Sequence, residues 1–230
     1  MRPIFTALAL AASLYGAKAA AENATVVELY TSQGCSSCPP ADAMLAEIGK
    51  QPNVIALALH VDYWDYLGWK DDLASPAFTQ RQHNYARAAG TATVYTPQMV
   101  FGGTDLVVGS RASDVTSQLM KHSKRDNGVD LVLSRNGNQL DIRGTAGGLR
   151  DTLAVQIVRY EPEVSRDIRR GENAGRTIKY THVVTSWETV GEWRTTAPLA
   201  MRANITGDQP VVVIVQDGTS GPIIAAAELR

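Results

Sequence analysis

The chain has 230 residues, with 22 Lys and Arg against 23 Asp and Glu, a formal net charge of −1 that offers no basic footprint for nucleic acid. No stretch approaches the roughly 20 consecutive apolar residues that a membrane-spanning helix needs. The length suits one large domain or two modest ones.

Residues 1–21 read as an export signal. Arg2 is the positive start, residues 4–14 are an apolar run too short to span a bilayer, and the small residues at 17–21 suit cleavage. Removing Arg2 and Lys18 with that leader leaves 20 basic against 23 acidic side chains, a net charge of −3. A periplasmic or secreted location is therefore expected.

Residues 26–30 (VVELY) form a short apolar run that predicts a buried strand, and residues 31–34 (TSQG) predict a turn. Pro39 and Pro40 suit a first helical turn, and Asp42 adds favourable charge there, so a helix is predicted to about residue 50. Residues 53–61 (NVIALALHV) read as a strand covered on both faces. A helix is predicted over 75–89, with Phe78, Tyr85 and Ala86 on one face and Arg81, Gln82 and His83 on a solvated one. Strands follow at 94–101 and 105–108, then a helix over 112–122 capped by Ser110 or Ser113. Beyond residues 123–128 the texture changes. Seven short strands are predicted, at 129–134, 139–143, 152–160, 177–187, 199–205, 211–216 and 223–228. Turn signals such as Asn136-Gly137 and Asp217-Gly218 separate them. That pattern suits a β-sandwich, with Trp187 and Trp193 as core or inter-domain packing and Asn173 and Gly175 in a hairpin turn.

Cys35 and Cys38 are the only cysteines, and they stand together in GCSSCPP. Closing so small a ring stabilises a fold by only about 2 kcal/mol on chain-entropy grounds, so the pair suits opening and closing better than stapling. Cys35 precedes a helix start, where unpaired N–H groups and the helix dipole favour a thiolate; Cys38, one turn inside, is the resolving thiol. The two prolines remove N–H donors from that turn, which weakens thiolate stabilisation at Cys38 more than at Cys35. One CxxC offers a metal two soft ligands, whereas structural zinc takes four, so redox chemistry is the favoured reading.

The first half resembles the thioredoxin fold: strand, CxxC at a helix start, second buried strand, then Thr96-Pro97 entering a strand that ends at Gly102-Gly103. The resemblance implies that Pro97 follows a cis bond and that Thr96 and Pro97 hold a partner's backbone beside the sulfurs. More narrowly, HVDYWDYLGWKD at 60–71, YTSQGC at 30–35 and GENAG at 171–175 are similar to an exported thioredoxin-like family known as a domain of unknown function. The expected fold is α/β thioredoxin-like over 22–125, followed by an all-β, sandwich-like domain over 126–230. Gly34 replaces the aromatic residue usual in thioredoxins, and the extra length between Cys35 and Pro97 is expected to overhang the site.

The expected activity is thiol–disulfide exchange with dithiol or disulfide proteins, without an organic cofactor. Cys35 attacks and Cys38 resolves, while Gly34, Thr96, Pro97, Trp64 and Trp69 line the partner's site, with Tyr63 beside them. Glu28, seven residues before Cys35, is a candidate proton carrier, although thioredoxins place their acid where this chain has Leu29; structural pairing is the favoured role. His60 and Asp62, two apart on a strand, share a face and invite a metal reading. Copper chaperones of thioredoxin fold add a distal histidine to a cysteine pair, so a copper(I) carrier using His60 or His83 is one alternative. The favoured account has Trp64, Tyr66 and Trp69 packing a loop while Asp62, Asp65 and Lys70 pair or hydrogen-bond. A non-catalytic interaction protein with a permanent disulfide is the other alternative.

Overall fold

The computed structural model describes residues 18–20, 24–148 and 152–230. The proposed leader therefore lies mostly outside the described residues; the backbone of Lys18–Ala20 forms strand β1, antiparallel to a strand of the second half.

In chain order come β2 (Thr25–Thr31), α1 (Pro39–Ile48), β3 (Val54–His60), a 3-10 turn (Asp65–Leu67), α2 (Pro76–Ala88), β4 (Gln98–Phe101), β5 (Asp105–Val108) and α3 (Ala112–His122). Then follow β6 (Val129–Asn136), β7 (Gln139–Ala146), β8 (Thr152–Ile168), β9 (Arg176–Arg194), β10 (Leu199–Asn204), β11 (Val211–Gln216) and β12 (Ile223–Leu229). The described chain is mostly β with few helices. Its larger sheet is mixed and eight-stranded, in the order β12-β11-β8-β9-β3-β2-β4-β5, and a four-stranded sheet runs β1-β6-β7-β10.

The sequence led us to expect a sandwich of short strands lying apart from the first half. Instead β8 and β9 are 17 and 19 residues long, and β9 meets β3 in parallel at Ala58↔Val183. One sheet thus carries strands from both halves. The outer part of β8 holds Glu161, Glu163, Arg166 and Asp167, residues of low strand propensity, and its burial alternates because only one side of that arm is covered. Such a stretch does not look like a strand in isolation.

Alternation along β2 and β3 builds the core on both faces. Val27, Leu29, Ala56 and Ala58 face α1, packing with Ala41, Leu45, Ile48, Met99 and Phe101. Val26, Tyr30, Ile55, Leu57 and Leu59 face the other way, against Phe78 and Tyr85 of α2 and Val158, Val184, Val212 and Ile214 of the second half. Val211, Val213 and Val215 turn instead toward Leu131, Leu133, Leu140 and Ile142 of the smaller sheet. This double burial accounts for the unbroken apolar run VVVIV.

Two local expectations change. Arg81 and Gln82 are buried, not solvated, because Phe78, Arg81, Gln82 and Tyr85 form one stripe at helical spacing. Helix α3 has Arg111 at its N-cap with no side-chain cap bond, so neither Ser110 nor Ser113 serves.

Candidate functional site: a covered disulfide at a helix start

Cys35 and Cys38 form a disulfide with Cα atoms 5.4 Å apart. Cys38 is the N-cap of α1, and Pro39 and Pro40 take the first helical positions, where no N–H is needed. The Cys38 carbonyl accepts from the N–H groups of Ala41 and Asp42 at 2.8 and 3.1 Å, so the turn is held without them. The Ser37 hydroxyl lies 3.4 Å from Cys35 Sγ. A disulfide sulfur carries no proton, so the hydroxyl donates, and the same donor would stabilise a Cys35 thiolate.

The sulfurs are covered: Cys35 is 1% exposed and Cys38 0%. Part of the cover is the segment between β3 and α2. A Cβ on Gly34 would stand 3.0 Å from Trp64 Cβ, so a side chain here would press on Trp64. Trp64 Nε1 donates to Thr96 Oγ1 at 2.7 Å, and the Thr96–Pro97 bond is cis, as the resemblance implied. Gly34, Trp64, Thr96 and Pro97 are thus brought together. Trp69 joins through Gln33, whose side-chain oxygen accepts from Trp69 Nε1 at 2.7 Å. Trp69 also packs against Ile168, Ile178 and Tyr180 of the β8–β9 arm, while Tyr66, expected to pack, is 78% exposed.

The rest of the cover comes from the tip of that arm. Asn173 Nδ2 donates to the carbonyls of Gln33 and Cys35 at 2.9 and 3.0 Å. Glu172 accepts from the Ser36 N–H at 3.2 Å, and the Ser36 hydroxyl, joined by that N–H, holds its carboxyl below the usual range. Arg166 on the same arm pairs with Asp72 at 2.9 Å, and Asp72 also accepts from Gln33. Asn173 was read from sequence only as a turn residue. Its part in the site rests on contacts 138 and 140 positions away, which no local pattern signals.

Glu28 is not at the site. It alternates with Val27 and Leu29, so it points to the face opposite α1, where it bonds Arg81 at 2.8 and 2.9 Å and the hydroxyls of Tyr30 and Tyr85. Arg81 also stacks 3.7 Å from the Trp187 ring. Asp42, expected to add favourable charge near the helix N-terminus, is in the first turn but buried. Burial pushes its carboxyl up to about 7, opposed by the His60 imidazole and the Thr31 hydroxyl. His60, on the α1 face of β3, has Nδ1 2.7 Å from Asp71 Oδ2. For Asp71, burial acts upward, but His60 and the N–H groups of Gln33 and Leu73 outweigh it and hold the carboxyl low.

Two candidate metal ligands, Asp62 and His83, stand apart from His60. Asp62 lies beyond the end of β3 and accepts from Thr79 of α2, so it does not share a face with His60. His83 is on α2, across the sheet from α1. Among the described residues, no three His, Cys, Asp or Glu side chains gather to hold a metal ion. Also among them, no helix is long and apolar enough to cross a membrane.

With this site inside it, the chain belongs to the family described as Protein of unknown function (DUF1223), whose model matches residues 26–216. The matched span includes the disulfide, the Trp64 segment and the arm that covers both. The chain is also similar to a protein of Agrobacterium tumefaciens solved by X-ray crystallography. Identity is 32%, the TM-score is 0.75, and the match covers 89% of this chain and 93% of that one. No curated protein matches the chain.

Proposed function

We propose that the protein is an exported thiol–disulfide oxidoreductase acting through Cys35 and Cys38. The observation that carries this reading is the disulfide itself: the chain's only two cysteines close a ring at the start of α1, with a hydroxyl donor at Cys35. The sheet order β3-β2-β4-β5, with α1 following β2 and a cis Thr96–Pro97 bond before β4, supports a thioredoxin-like first half over 22–125. The smaller sheet packed on β8 and β11 supports a sandwich-like second half over 126–230. The composition of residues 1–21 supports export, where a disulfide persists.

In the reduced chain, the Cys35 thiolate attacks one sulfur of a client disulfide. The client S–S bond breaks, one client sulfur leaves as thiolate, and Cys35 holds the other. Cys38 then loses its proton and attacks Cys35 Sγ, forming the internal disulfide and releasing the second client thiolate. The client gains two electrons, the chain loses two, and a second dithiol protein restores it; the reverse sequence oxidises a client dithiol. Gly34, Trp64, Thr96 and Pro97 would meet the client's backbone once the arm tip moves aside.

A Cys38→Ser chain in the native compartment should accumulate mixed disulfides through Cys35 and so identify the clients. No adduct beyond that of the double Cys→Ser chain would contradict the proposal. The burial of both sulfurs favours one other reading, an interaction protein with a permanent disulfide. That reading requires a disulfide resistant to dithiol proteins in the folded chain.

A further inference from the structure

Beside the disulfide, an open groove runs between the segment that follows β3 and the outer part of β8. It holds three cations, Lys70, Arg166 and Arg169, against two carboxylates, Asp72 and Asp167. Arg166 is taken by Asp72 at 2.9 Å, and Asp167 accepts from the Thr177 hydroxyl at 2.7 Å. Lys70 and Arg169 are exposed and have no partner among the described residues, and the same is true of Arg170, next in the chain. The chain as a whole carries a net charge of −1, so this positive cluster is a feature of one face. An uncompensated cluster of one sign draws in the opposite charge.

The groove is joined to the CxxC loop through shared side chains. Trp69, which lines it, donates to the Gln33 side chain. The Gln33 carbonyl accepts from Asn173, and the same Asn173 amide reaches the Cys35 carbonyl. Gly171, at φ +76°, lets the arm tip lie against Trp69; a Cβ there would stand 3.3 Å from Trp69 Cβ. The next residue, Glu172, lays its carboxylate on the Ser36 N–H, between the two cysteines, at 3.2 Å. Unpaired N–H groups at a helix start suit anions. The CxxC loop thus already receives a carboxylate, and the Ser36 contacts favour its ionised form. Asn173, only 1% exposed, completes the cover, and both sulfurs are buried. A client must take over the place that this tip holds.

Resting on the exchange reaction just described, we propose that the client is a protein whose reactive sulfur lies in an acidic segment, and that Glu172 and Asn173 occupy that segment's place in the resting chain. One client carboxylate takes the Ser36 N–H from Glu172. Further carboxylates along the segment pair with Lys70 and Arg169 in the groove. The client so gains ion pairs that the resting chain lacks, whereas a neutral or basic segment leaves both cations without a partner. The screening length at physiological salt is about 8 Å, so these close contacts outweigh the small net negative charge of the whole chain. Recognition precedes the exchange of sulfurs and leaves its chemistry unchanged.

The test compares disulfide-linked peptides of one length whose cysteines are flanked by Glu, Gln or Lys. Each is mixed with reduced full-length chain and quenched at intervals with acid. Its exchange rate is divided by that with the unfolded reduced chain, which removes the peptide's own reactivity. The Glu peptide should exceed the Gln peptide by about fivefold, the size expected of two exposed ion pairs, the Lys peptide should be slowest, and the margin should fade in about 1 M salt. The chain carrying both Lys70→Gln and Arg169→Gln should bring the Glu-to-Gln ratio to about one; a ratio within one chain is insensitive to a loss of folded material. Glu172→Gln, which loosens the tip, should raise the Glu peptide's rate further. Equal rates for the Glu and Gln peptides would overturn the inference, as would a margin that survives the double substitution or a Glu peptide slowed by Glu172→Gln. Binding of the same peptides with Ser in place of Cys separates the two claims. If no peptide exchanges but the Glu form still binds tighter through Lys70 and Arg169, the exchange reaction fails and the acidic recognition stands. If vesicles with anionic headgroups bind through these cations while the peptides show no preference, the face belongs to a membrane surface and the inference falls.

Discussion

At the scale of single residues, the two buried acids of the first half illustrate opposite solutions. Glu28 is met by Arg81, Tyr30 and Tyr85, so its charge is fully compensated. Among the described residues, Asp42 is met by no arginine or lysine, and burial lifts its carboxyl from 3.8 to about 7 against the opposing pull of His60 and Thr31. A raised value means that the folded chain binds this proton more tightly than the unfolded chain does. The group's favourable contribution is therefore complete below its ordinary 3.8 and is lost as pH climbs toward about 7. Asp42→Asn should accordingly match the parent near pH 4 and exceed it at pH 8 by about 1–3 kcal/mol, as denaturant melts at the two pH values would record. A variant less stable than the parent at pH 8 would mean that Asp42 has a structural partner. Structural pairing was the role favoured for Glu28 from sequence, whereas the burial of Asp42 was not legible locally. The sequence places an acid near a helix start, but which way it faces depends on how α1 sits on the sheet.

At the scale of elements, the strand–turn–helix unit was legible, because its signals are local: an apolar run, a Gly-containing turn, two prolines and then helix formers. The spacing from Thr96-Pro97 to Gly102-Gly103 identified β4 for the same reason. The β8–β9 arm was not legible beyond its turn, since half the residues of its β8 part, 161–168, are charged. Yet its tip is bonded to the CxxC loop. Asn173 contributes two hydrogen bonds to the CxxC loop, at 2.9 and 3.0 Å. At about 1 kcal/mol net for each, losing both should favour the uncovered state by roughly thirtyfold. Asn173→Ala should therefore raise the alkylation rate of Cys35 in the reduced folded chain by about that factor. An unchanged rate would mean that the arm does not gate the site.

At the scale of the whole molecule, the second half is not an appendage. It extends the first half's sheet through β9, and Gln216 and Thr219 accept bonds from Arg81, whose guanidinium also packs on Trp187. It also supplies the residues that cover the disulfide. The change of texture near residue 125 was visible in the sequence, but the continuity of the sheet was not, because strand pairing between distant segments leaves no periodic mark. The site is thus assembled from both halves, with sulfur, helix and part of the cover from one and the rest of the cover from the other.

The most direct measurement is the pH profile of Cys35 alkylation in the reduced intact chain, set beside the same chain unfolded. We expect slower but measurable labelling in the folded state, with half-titration well below the roughly 8.5 of an ordinary thiol. A thiol that keeps its proton to 8.5 or above, or that takes no label until the chain unfolds, would contradict the proposed exchange reaction.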